Sequence, residues 1–393
     1  MKLQINAYKL RFLIFVLFVL SIPVYTFAQN FQTVHNGIEH AKITRQMKSA
    51  DGKDESVVFN LLRLDLTKVR LDVVHAFDRA IGMEKTSSMA TRYGAIAAIN
   101  AGFFRLDKSV FAGDAAGVLM INRKLLSESV NDRIALFISN KPKRTKVNFA
   151  HLNINDSLQI KKKDFQFSGI NRQRKENELI EFTSYFHPTT LTDNNGLEIV
   201  VRNGVVVEIN DGKGNSRIPQ NGFVISASGK MREQILPFVK IGRKIKLNTG
   251  TRFEVKEGFP NSESNRTTTA FSTAEDITNG VPQLIKNGKI EITWEQEKTS
   301  KTFVETHHPR TAVAKLKDGK FLMITVDGRS EESGGISLPD LAAFLLELGA
   351  TDAMNLDGGG STTMFLDGKI LNKPSDKEGE RAVSDAILVF PRK

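Results

Sequence analysis

Apolar and polar residues alternate over much of the N-terminal part of this chain. The pattern at 57–66 and 69–74 is typical of β-strands with one buried face. Further along, Asn203-Gly204 stands between two apolar runs and predicts a hairpin. Helical periodicity is limited to stretches around 87–93 and 338–348. The sequence therefore predicts an α+β protein built on extended, mainly antiparallel sheets with a few helices.

The densest group of polar residues follows the second helical stretch. That stretch ends at Gly349, and a short apolar run at 353–356 predicts a strand that delivers Asp357 to its end. Three glycines, 358–360, and three hydroxyl residues, 361–363, come next. Glycine lets the backbone adopt positive φ and expose its N–H groups, so a sugar or phosphate can approach closely. We expect a functional site here, centred on Asp357.

Polar side chains also stand at the ends of other predicted strands. Loops that follow a rigid strand often carry binding and catalytic residues, so we expect some of these side chains to join Asp357 in one site. The candidates at the other strand ends are Asn100, His308, Arg310, Asp327, Arg329, Glu380 and Arg381.

Residues 1–28 predict an export signal. Basic residues precede an apolar run at 12–24, and small residues lead up to Ala28. The run is shorter than the roughly 20 residues that span a bilayer, and Pro23 interrupts it, which disfavours a membrane anchor. We expect cleavage after Ala28 and a periplasmic or secreted protein with no stable membrane anchor.

Composition narrows the classes of function. The chain has 393 residues, 40% of them hydrophobic, which is enough for a substantial core. Cysteine is absent, which excludes disulfides, thiolate metal sites and a cysteine nucleophile. The formal net charge is +11, but the basic clusters at 161–163 and 172–175 have little aromatic interleaving. We interpret these clusters as solvated loop faces and expect no nucleic-acid partner.

Several motifs, taken in order, resemble the phosphodiester glycosidase family. The segment 100–104, Asn-Ala-Gly-Phe-Phe, is similar to the family's Asn-Gly-Gly-aromatic-Phe motif, with Ala101 in place of a glycine. A weaker similarity lies at 277–285. The close matches are 308–313, 327–329, 355–363 and 380–381. On this resemblance we divide the chain into a signal peptide at 1–28, an N-terminal strand-rich region at 29–94 and a glycosidase-like domain at 95–391, with a divergent middle at about 140–270.

The resemblance implies hydrolysis of a glycosyl phosphodiester of the N-acetylglucosamine-1-phosphodiester type, which releases the sugar and leaves a phosphomonoester. Breaking a sugar C1–O bond usually takes two carboxyl groups. Asp357 is our preferred catalytic carboxylate, with Asp327 or Glu380 as its partner. Arg310 and Arg381 would bind phosphate oxygens through their planar forks of donors. The other predicted binding residues are Asn100, His308, Arg329, Gly358, Gly359, Ser361 and Thr362.

Plainer roles compete with these assignments. Asp357 and Asp327 each precede a glycine and could cap turns, Arg310 could belong to a structural ion pair, and Glu380 could form a solvated pair with Arg381. Carboxylates and carbonyls would suit calcium, but no ligand spacing matches a known loop, so we expect no obligatory metal or other cofactor. The alternative functions are a phosphate-independent glycosidase, a phosphodiesterase, and a non-catalytic protein that binds cell-wall or other glycans.

Overall fold

The computed structural model describes residues 31–49, 52–154, 156–248 and 270–392. The predicted signal peptide and its cleavage point lie outside the described residues. Within the described ranges, no helix is long and apolar enough to cross a membrane.

Strands dominate the described chain. The first fourteen are β1 (Gln32–His35), β2 (Ile38–Lys48), β3 (Asp54–Leu64), β4 (Val69–His75), β5 (Glu84–Lys85), β6 (Ala97–Asn100), β7 (Leu119–Ile121), β8 (Lys124–Ser127), β9 (Ile134–Lys141), β10 (Arg144–His151), β11 (Ser157–Ile160), β12 (Lys163–Gln166), β13 (Gly169–Ile170) and β14 (Leu179–Thr183). The others are β15 (Leu197–Arg202), β16 (Val205–Asp211), β17 (Gly222–Ala227), β18 (Lys246–Asn248), β19 (Asp276–Asn279), β20 (Gln283–Lys286), β21 (Lys289–Ile290), β22 (Arg310–Leu316), β23 (Phe321–Val326), β24 (Ala350–Asn355), β25 (Met364–Leu366), β26 (Lys369–Ile370), β27 (Ala382–Val383) and β28 (Asp385–Pro391).

Helices are short and few in the same ranges. The α-helices are α1 (Thr86–Tyr93), α2 (Gly229–Ile235), α3 (Lys301–Glu305) and α4 (Leu338–Glu347). Single turns of 3-10 helix occur at Ala76–Asp78, Leu236–Phe238 and Gly359–Ser361.

An eight-stranded sheet forms the frame of the site. Its strand order is β1-β2-β3-β23-β22-β24-β20-β21, and every neighbouring pair is antiparallel. The N-terminal strand β3 pairs directly with β23, from Leu64 opposite Phe321 to Phe59 opposite Val326. The N-terminal strands and the C-terminal motif region are therefore parts of one sheet.

A second sheet, ordered β26-β25-β6-β28-β4, faces the large one across the central core. Leu62 and Met323 of the large sheet belong to the same buried cluster as Ile99 of β6 and Ile387 of β28. This packing brings Asn100, at the end of β6, against the edge of the large sheet.

The opposite face of the large sheet is covered by α4. Ser337 begins this helix by accepting a hydrogen bond from the N–H of Asp340 over 3.2 Å, and Gly349, at φ +86°, follows its end. Leu341 and Phe344 lie in the buried cluster beneath the helix. Burying one such side chain contributes about 2 kcal/mol, so packing rather than the short helix itself holds α4 in place.

The fold class is confirmed: the sheets are mainly antiparallel and helices are few. The Asn203-Gly204 hairpin joins β15 to β16, and both turn residues have positive φ.

Our interpretation of cluster 172–175 as a solvated face was wrong for Arg172. Its guanidinium is largely buried and pairs with Glu128 over 2.6 Å and Glu178 over 2.7 Å. Alternating charge in the sequence did not show that these acids converge on one cation.

Candidate active site

Three chain segments reach the same edge of the large sheet. β23 ends at Val326 and β24 at Asn355, and both run antiparallel to β22, which lies between them and begins at Arg310. Strand spacing is about 4.8 Å, so the backbones of Asp327 and Asp357 lie roughly 10 Å apart. The topology thus places two predicted acids and one predicted arginine along one edge.

Asp357 is positioned by backbone contacts from two sheets. Its N–H donates to the carbonyl of Ala101 over 3.0 Å, and the preceding Leu356 N–H donates to the carbonyl of Thr311 over 2.8 Å. The carboxylate itself accepts from the N–H of Gly358 over 3.0 Å. These contacts fix the carboxylate where the large sheet meets the loop after β6.

Asp357 is half-buried, and its carboxyl group is crowded by protein. Burial raises the pKa of this carboxyl to about 6, and the charge of Asp385 adds to the rise. Ser361, the N–H of Gly358 and Arg381 oppose it. The buried Ser361 hydroxyl makes no hydrogen bond of ordinary geometry, so it acts on the carboxyl as a nearby dipole. A carboxyl that ionises near pH 6 suits proton transfer at neutral pH.

The three glycines allow neighbouring groups to pack closely against the loop. A Cβ on Gly358 would lie 2.8 Å from the carbonyl oxygen of Pro309, and a Cβ on Gly360 would lie 2.1 Å from Nη2 of Arg381. Gly359 has φ +59° and lies beneath Arg329. Glycine is required at these positions because a side chain would push away the residues that surround Asp357.

Arg310 is buried, with 2% of its surface exposed. Its Nε donates to the carbonyl of Ile336 over 3.1 Å, and Nη2 donates to the carbonyls of Phe303 and Thr306 over 2.8 and 2.7 Å. No carboxylate lies within 4 Å of it among the described residues, and Nη1 has no hydrogen bond there. Burial, with help from Arg329, lowers the pKa of Arg310 to about 10, so the group stays charged at neutral pH. The predicted alternative of a structural ion pair is wrong within these ranges.

Arg329 is the exposed partner of Arg310. It lies over Gly359, with its Nη2 3.4 Å from Nδ1 of His308. The nearby Glu332 pairs with Lys373 over 3.0 Å, and Arg329 has no ion pair in the described chain. Burial lowers the pKa of His308, and the nearby arginines lower it further, so its imidazole is neutral at pH 7. The backbone of Arg310 lies against Gly358 and the guanidinium of Arg329 lies over Gly359, so both arginines adjoin the loop that follows Asp357.

Asn100 does not contact a substrate as we predicted. It is fully buried, donating to the carbonyl of Asp357 over 2.6 Å and accepting from the Thr311 hydroxyl and the Thr363 N–H over 2.9 and 3.1 Å. Every hydrogen-bonding atom faces protein. Asn100 therefore joins β6 to the Asp357 loop.

Ser361 and Thr362 are also misplaced for the predicted phosphate cradle. Both are buried, and their N–H groups donate to the carbonyls of Gly358 and Gly359. The N–H of Gly359 is likewise taken, by the carbonyl of Pro309 over 2.8 Å. The N–H groups of Gly359, Ser361 and Thr362 all donate to carbonyls of the protein. Gly358 and Gly359 therefore contribute accessible surface rather than free N–H groups.

Asp327 is not brought against Asp357. Its carboxylate accepts from the N–H of Lys373 over 3.1 Å, and its carbonyl accepts from the Ser333 hydroxyl over 2.7 Å. Burial raises the pKa of the Asp327 carboxyl. One strand separates the two acids, so Asp327 is at most a distant neighbour of the reacting centre.

Glu380 is a helix cap rather than a catalytic acid. Its carboxylate accepts from the N–H of Ser87 over 2.8 Å and from the Ser87 hydroxyl over 2.5 Å, in the first turn of α1. Arg381 forms a bidentate pair with Asp376 over 2.7 and 2.9 Å. Its fork is already filled, so Arg381 acts on Asp357 through charge and is a weaker phosphate ligand than we predicted.

Sequence reasoning missed two features beside the site. Asp385, at the start of β28, is fully buried and binds the loop that carries Ala101. Phe103 meets Phe303 edge to face, with ring centroids 6.0 Å apart, and Arg310 lies 5.0 Å over the Phe303 ring. The sequence offered two signals for these features. Asp385 is a lone acid before an apolar run, and Phe103 belongs to an aromatic pair in the motif at 100–104.

No group of three or more histidine or acidic side chains within the described ranges is placed to hold a metal ion. The site consists of one central carboxylate, two unpaired guanidinium groups and an apolar wall.

The chain matches the family model described as NAGPA, phosphodiester glycosidase, over residues 195–390. This part of the chain belongs to the phosphodiester glycosidase family. The resemblance inferred from the motifs is thereby confirmed. The proteins named N-acetylglucosamine-1-phosphodiester alpha-N-acetylglucosaminidase of Bos taurus and Homo sapiens are 40% and 38% identical to it over 109 residues. Those matches span 25% of this chain and about a fifth of each relative, 20% and 21%.

Longer similarities link this chain to one curated protein and two solved structures. An uncharacterised protein of Rickettsia conorii is 29% identical over 244 residues, covering 61% of this chain and 77% of that protein. Crystal structures of a hypothetical protein from Synechocystis and a putative exported protein from Burkholderia pseudomallei superpose with TM-scores of 0.74 and 0.71. They cover 91% and 86% of this chain, and 62% and 74% of their own, at 22% and 21% identity. These structures support the fold.

Proposed function

We propose that this protein is an exported hydrolase that cleaves the sugar–phosphate bond of glycosyl phosphodiesters of the N-acetylglucosamine-1-phosphodiester type. The observation that supports the proposal is the pair Arg310, which is buried, and Arg329, which is exposed over Gly359 in the Asp357 loop; neither has a carboxylate partner in the described chain. Uncompensated buried charge is costly unless a ligand supplies the opposite charge. A phosphodiester is an anion at every working pH and matches guanidinium geometry.

The sugar would occupy the side of the site bounded by Phe103 and Phe303. Both rings are half-buried, and Phe303 already supports Arg310. An aromatic surface next to a cationic one fits a ligand that is apolar on a ring face and anionic at one end. The export signal predicted at 1–28 supports action on glycans outside the cytoplasm.

The chemistry assigned to this arrangement needs one carboxylate. Ionised Asp357 accepts a proton from the water that attacks C1, a new C1–O bond forms, and the bond from C1 to the bridging oxygen breaks. The electron pair leaves with the phosphate as a phosphomonoester. Arg310 and Arg329 neutralise the charge that develops there, so the leaving group needs little protonation.

The test uses an aryl phosphodiester of N-acetylglucosamine 1-phosphate and a phosphate-free aryl glycoside of the same sugar. Hydrolysis in ¹⁸O-labelled water decides the bond: cleavage of C1–O gives free sugar and unlabelled aryl phosphate, whereas cleavage of either P–O bond puts the label in the phosphate product. We expect free sugar from the diester and little turnover of the glycoside. Turnover of the glycoside alone would favour the phosphate-independent glycosidase, and no turnover of any substrate would favour a glycan-binding protein.

Arg329→Ala tests the phosphate contact in the same assay. Loss of one charge-assisted contact should raise KM for the diester on the order of 10-fold or more. Arg232→Ala is the matched control, because that surface arginine pairs with Asp211 in another part of the molecule. Equal effects of Arg329→Ala on both substrates would contradict a phosphate-binding role.

A further inference from the structure

Asp385 is a buried acid for which the proposed chemistry has no assigned use. None of its surface is exposed. Its carboxylate accepts from the Ser384 hydroxyl over 2.5 Å, the Thr278 hydroxyl over 2.8 Å and the Gly102 N–H over 3.2 Å. All three contacts come from hydrogen-bond donors, so the Asp385 carboxyl oxygens act as acceptors in each of them.

One turn of backbone separates Asp385 from Asp357. The carbonyl of Asp385 accepts from the N–H of Ala101 over 3.0 Å, and the carbonyl of Ala101 accepts from the N–H of Asp357 over 3.0 Å. Together with the contact to Gly102, these hydrogen bonds connect Asp385 to both residues of the Ala101–Gly102 turn, which binds the N–H of Asp357. A shift of this turn would move Asp357 directly.

The charges around the two acids are few. Arg381 favours the ionised form of Asp357, whereas Asp385 disfavours it. Asp385 also faces His75, a buried imidazole whose ring nitrogens lie 3.2 and 3.0 Å from the carbonyls of Ala76 and Gly113. Burial lowers the pKa of His75, and Asp385 opposes that fall.

We propose that Asp385 is the positioning carboxylate of this site: it fixes the Ala101–Gly102 turn beneath Asp357 and sets a second acidic side chain behind that turn. The acids predicted for that partnership, Asp327 and Glu380, are engaged elsewhere, whereas Asp385 acts from behind the turn without touching substrate. The inference rests on the proposed function only for the catalytic benefit. The electrostatic relation between the two acids is independent of substrate.

The test is Asp385→Asn, which keeps the shape and can still accept from Gly102 and Thr278. Removal of a like charge should lower the acidic midpoint of the pH–rate profile by about half to one pH unit. The maximal rate should fall, because Asp357 becomes a weaker base. Asp276→Asn is the matched control: Asp276 is also buried and accepts two backbone N–H groups, from Val73 and Asn122. We expect it to leave the profile in place.

A substrate-free titration separates this inference from the proposed function. Carbon-13 spectra of the aspartate carboxyls, with Asp357 assigned by its loss in Asp357→Asn, should show the same shift in Asp385→Asn even without turnover. An unmoved Asp357 titration would overturn the proposal. If Asp385→Asn does not fold, spectra of the unmutated protein decide: the Asp357 carboxyl must titrate above its ordinary 3.8, and a midpoint at or below that value would refute the proposal.

Discussion

Asn100 donates its side-chain amide to the backbone carbonyl of Asp357 over 2.6 Å, although 257 positions separate the two residues in the chain. This hydrogen bond ties the end of one sheet to the loop that leaves another. The position of the proposed catalytic carboxylate therefore depends on how two sheets are packed, and not only on its own loop.

Asn100→Asp tests that dependence. The substitution keeps the shape and the acceptor but sets a carboxylate against the Asp357 carbonyl, so the loop should shift. We expect kcat to fall on the order of 10- to 100-fold. Asn171→Asp is the control, because Asn171 is equally buried, donates to the carbonyl of Leu126 and accepts from Thr183. Both variants should lose about 1–3 kcal/mol of stability; equal losses of activity per folded molecule would count against the positioning role.

Asp357→Asn should change stability in a pH-dependent way. The pKa of the Asp357 carboxyl is raised in the folded protein from an ordinary 3.8 to about 6. The Asp357 carboxyl therefore favours the folded state while it is neutral, below about pH 4, and this stabilisation is lost as pH rises through about 6. The variant should match the unmutated protein near pH 4 and be more stable by on the order of 1–3 kcal/mol at pH 7.5. Urea unfolding at both pH values measures this, and a difference that does not vary with pH would disprove it.

Gly360→Ala should displace residues beside Asp357, because the added methyl group has no room. The added methyl would lie 2.1 Å from Nη2 of Arg381 and 2.2 Å from Oδ1 of Asp376, so that ion pair must move away from Asp357. We expect about 1–3 kcal/mol of destabilisation and a clear loss of kcat. Gly368→Ala is the comparison: it has positive φ but open space around it, so it should cost about 1 kcal/mol without loss of activity. Retained activity in Gly360→Ala would show that Arg381 is dispensable.

Glu380→Gln should affect the helix and spare the chemistry. The substitution weakens the contacts to Ser87 at the start of α1, at a cost of about 1 kcal/mol. Thermal unfolding should shift while kcat and KM per folded molecule stay the same. A large fall in kcat with unchanged stability would restore Glu380 as a catalytic candidate.

Phe103→Leu tests the apolar wall. Replacing the ring removes an aromatic contact worth about 0.5–1.5 kcal/mol, so KM for the sugar phosphodiester should rise by roughly 2- to 12-fold. Inhibition by inorganic phosphate should be unchanged, whereas Arg329→Ala should weaken it. If Phe103→Leu weakened phosphate inhibition as much as substrate binding, the wall would not be a sugar surface.

Local sequence signals picked out strand ends that the structure brings together, but not the contacts that each side chain makes. Asp357 and Arg310 stood out because strand ends and glycines are visible over a few residues. Asn100 and Glu380 misled because a polar residue at a strand end looks the same whether it binds a ligand or satisfies backbone groups. Asp385 was missed because its partners Thr278 and Gly102 lie 107 and 283 positions away. Only the packing of distant strands distinguishes these cases.

The pairing of β3 with β23 and of β4 with β28 also sets the timing of folding. When a ribosome has made the first 300 residues, both N-terminal strands still lack these partners, and loop closure over such spans makes folding slow. The nascent chain therefore cannot complete its central sheet until its last strands have been synthesised. β3 and β4 therefore each lack a hydrogen-bonded neighbour for most of translation, and such unpaired strand edges promote aggregation.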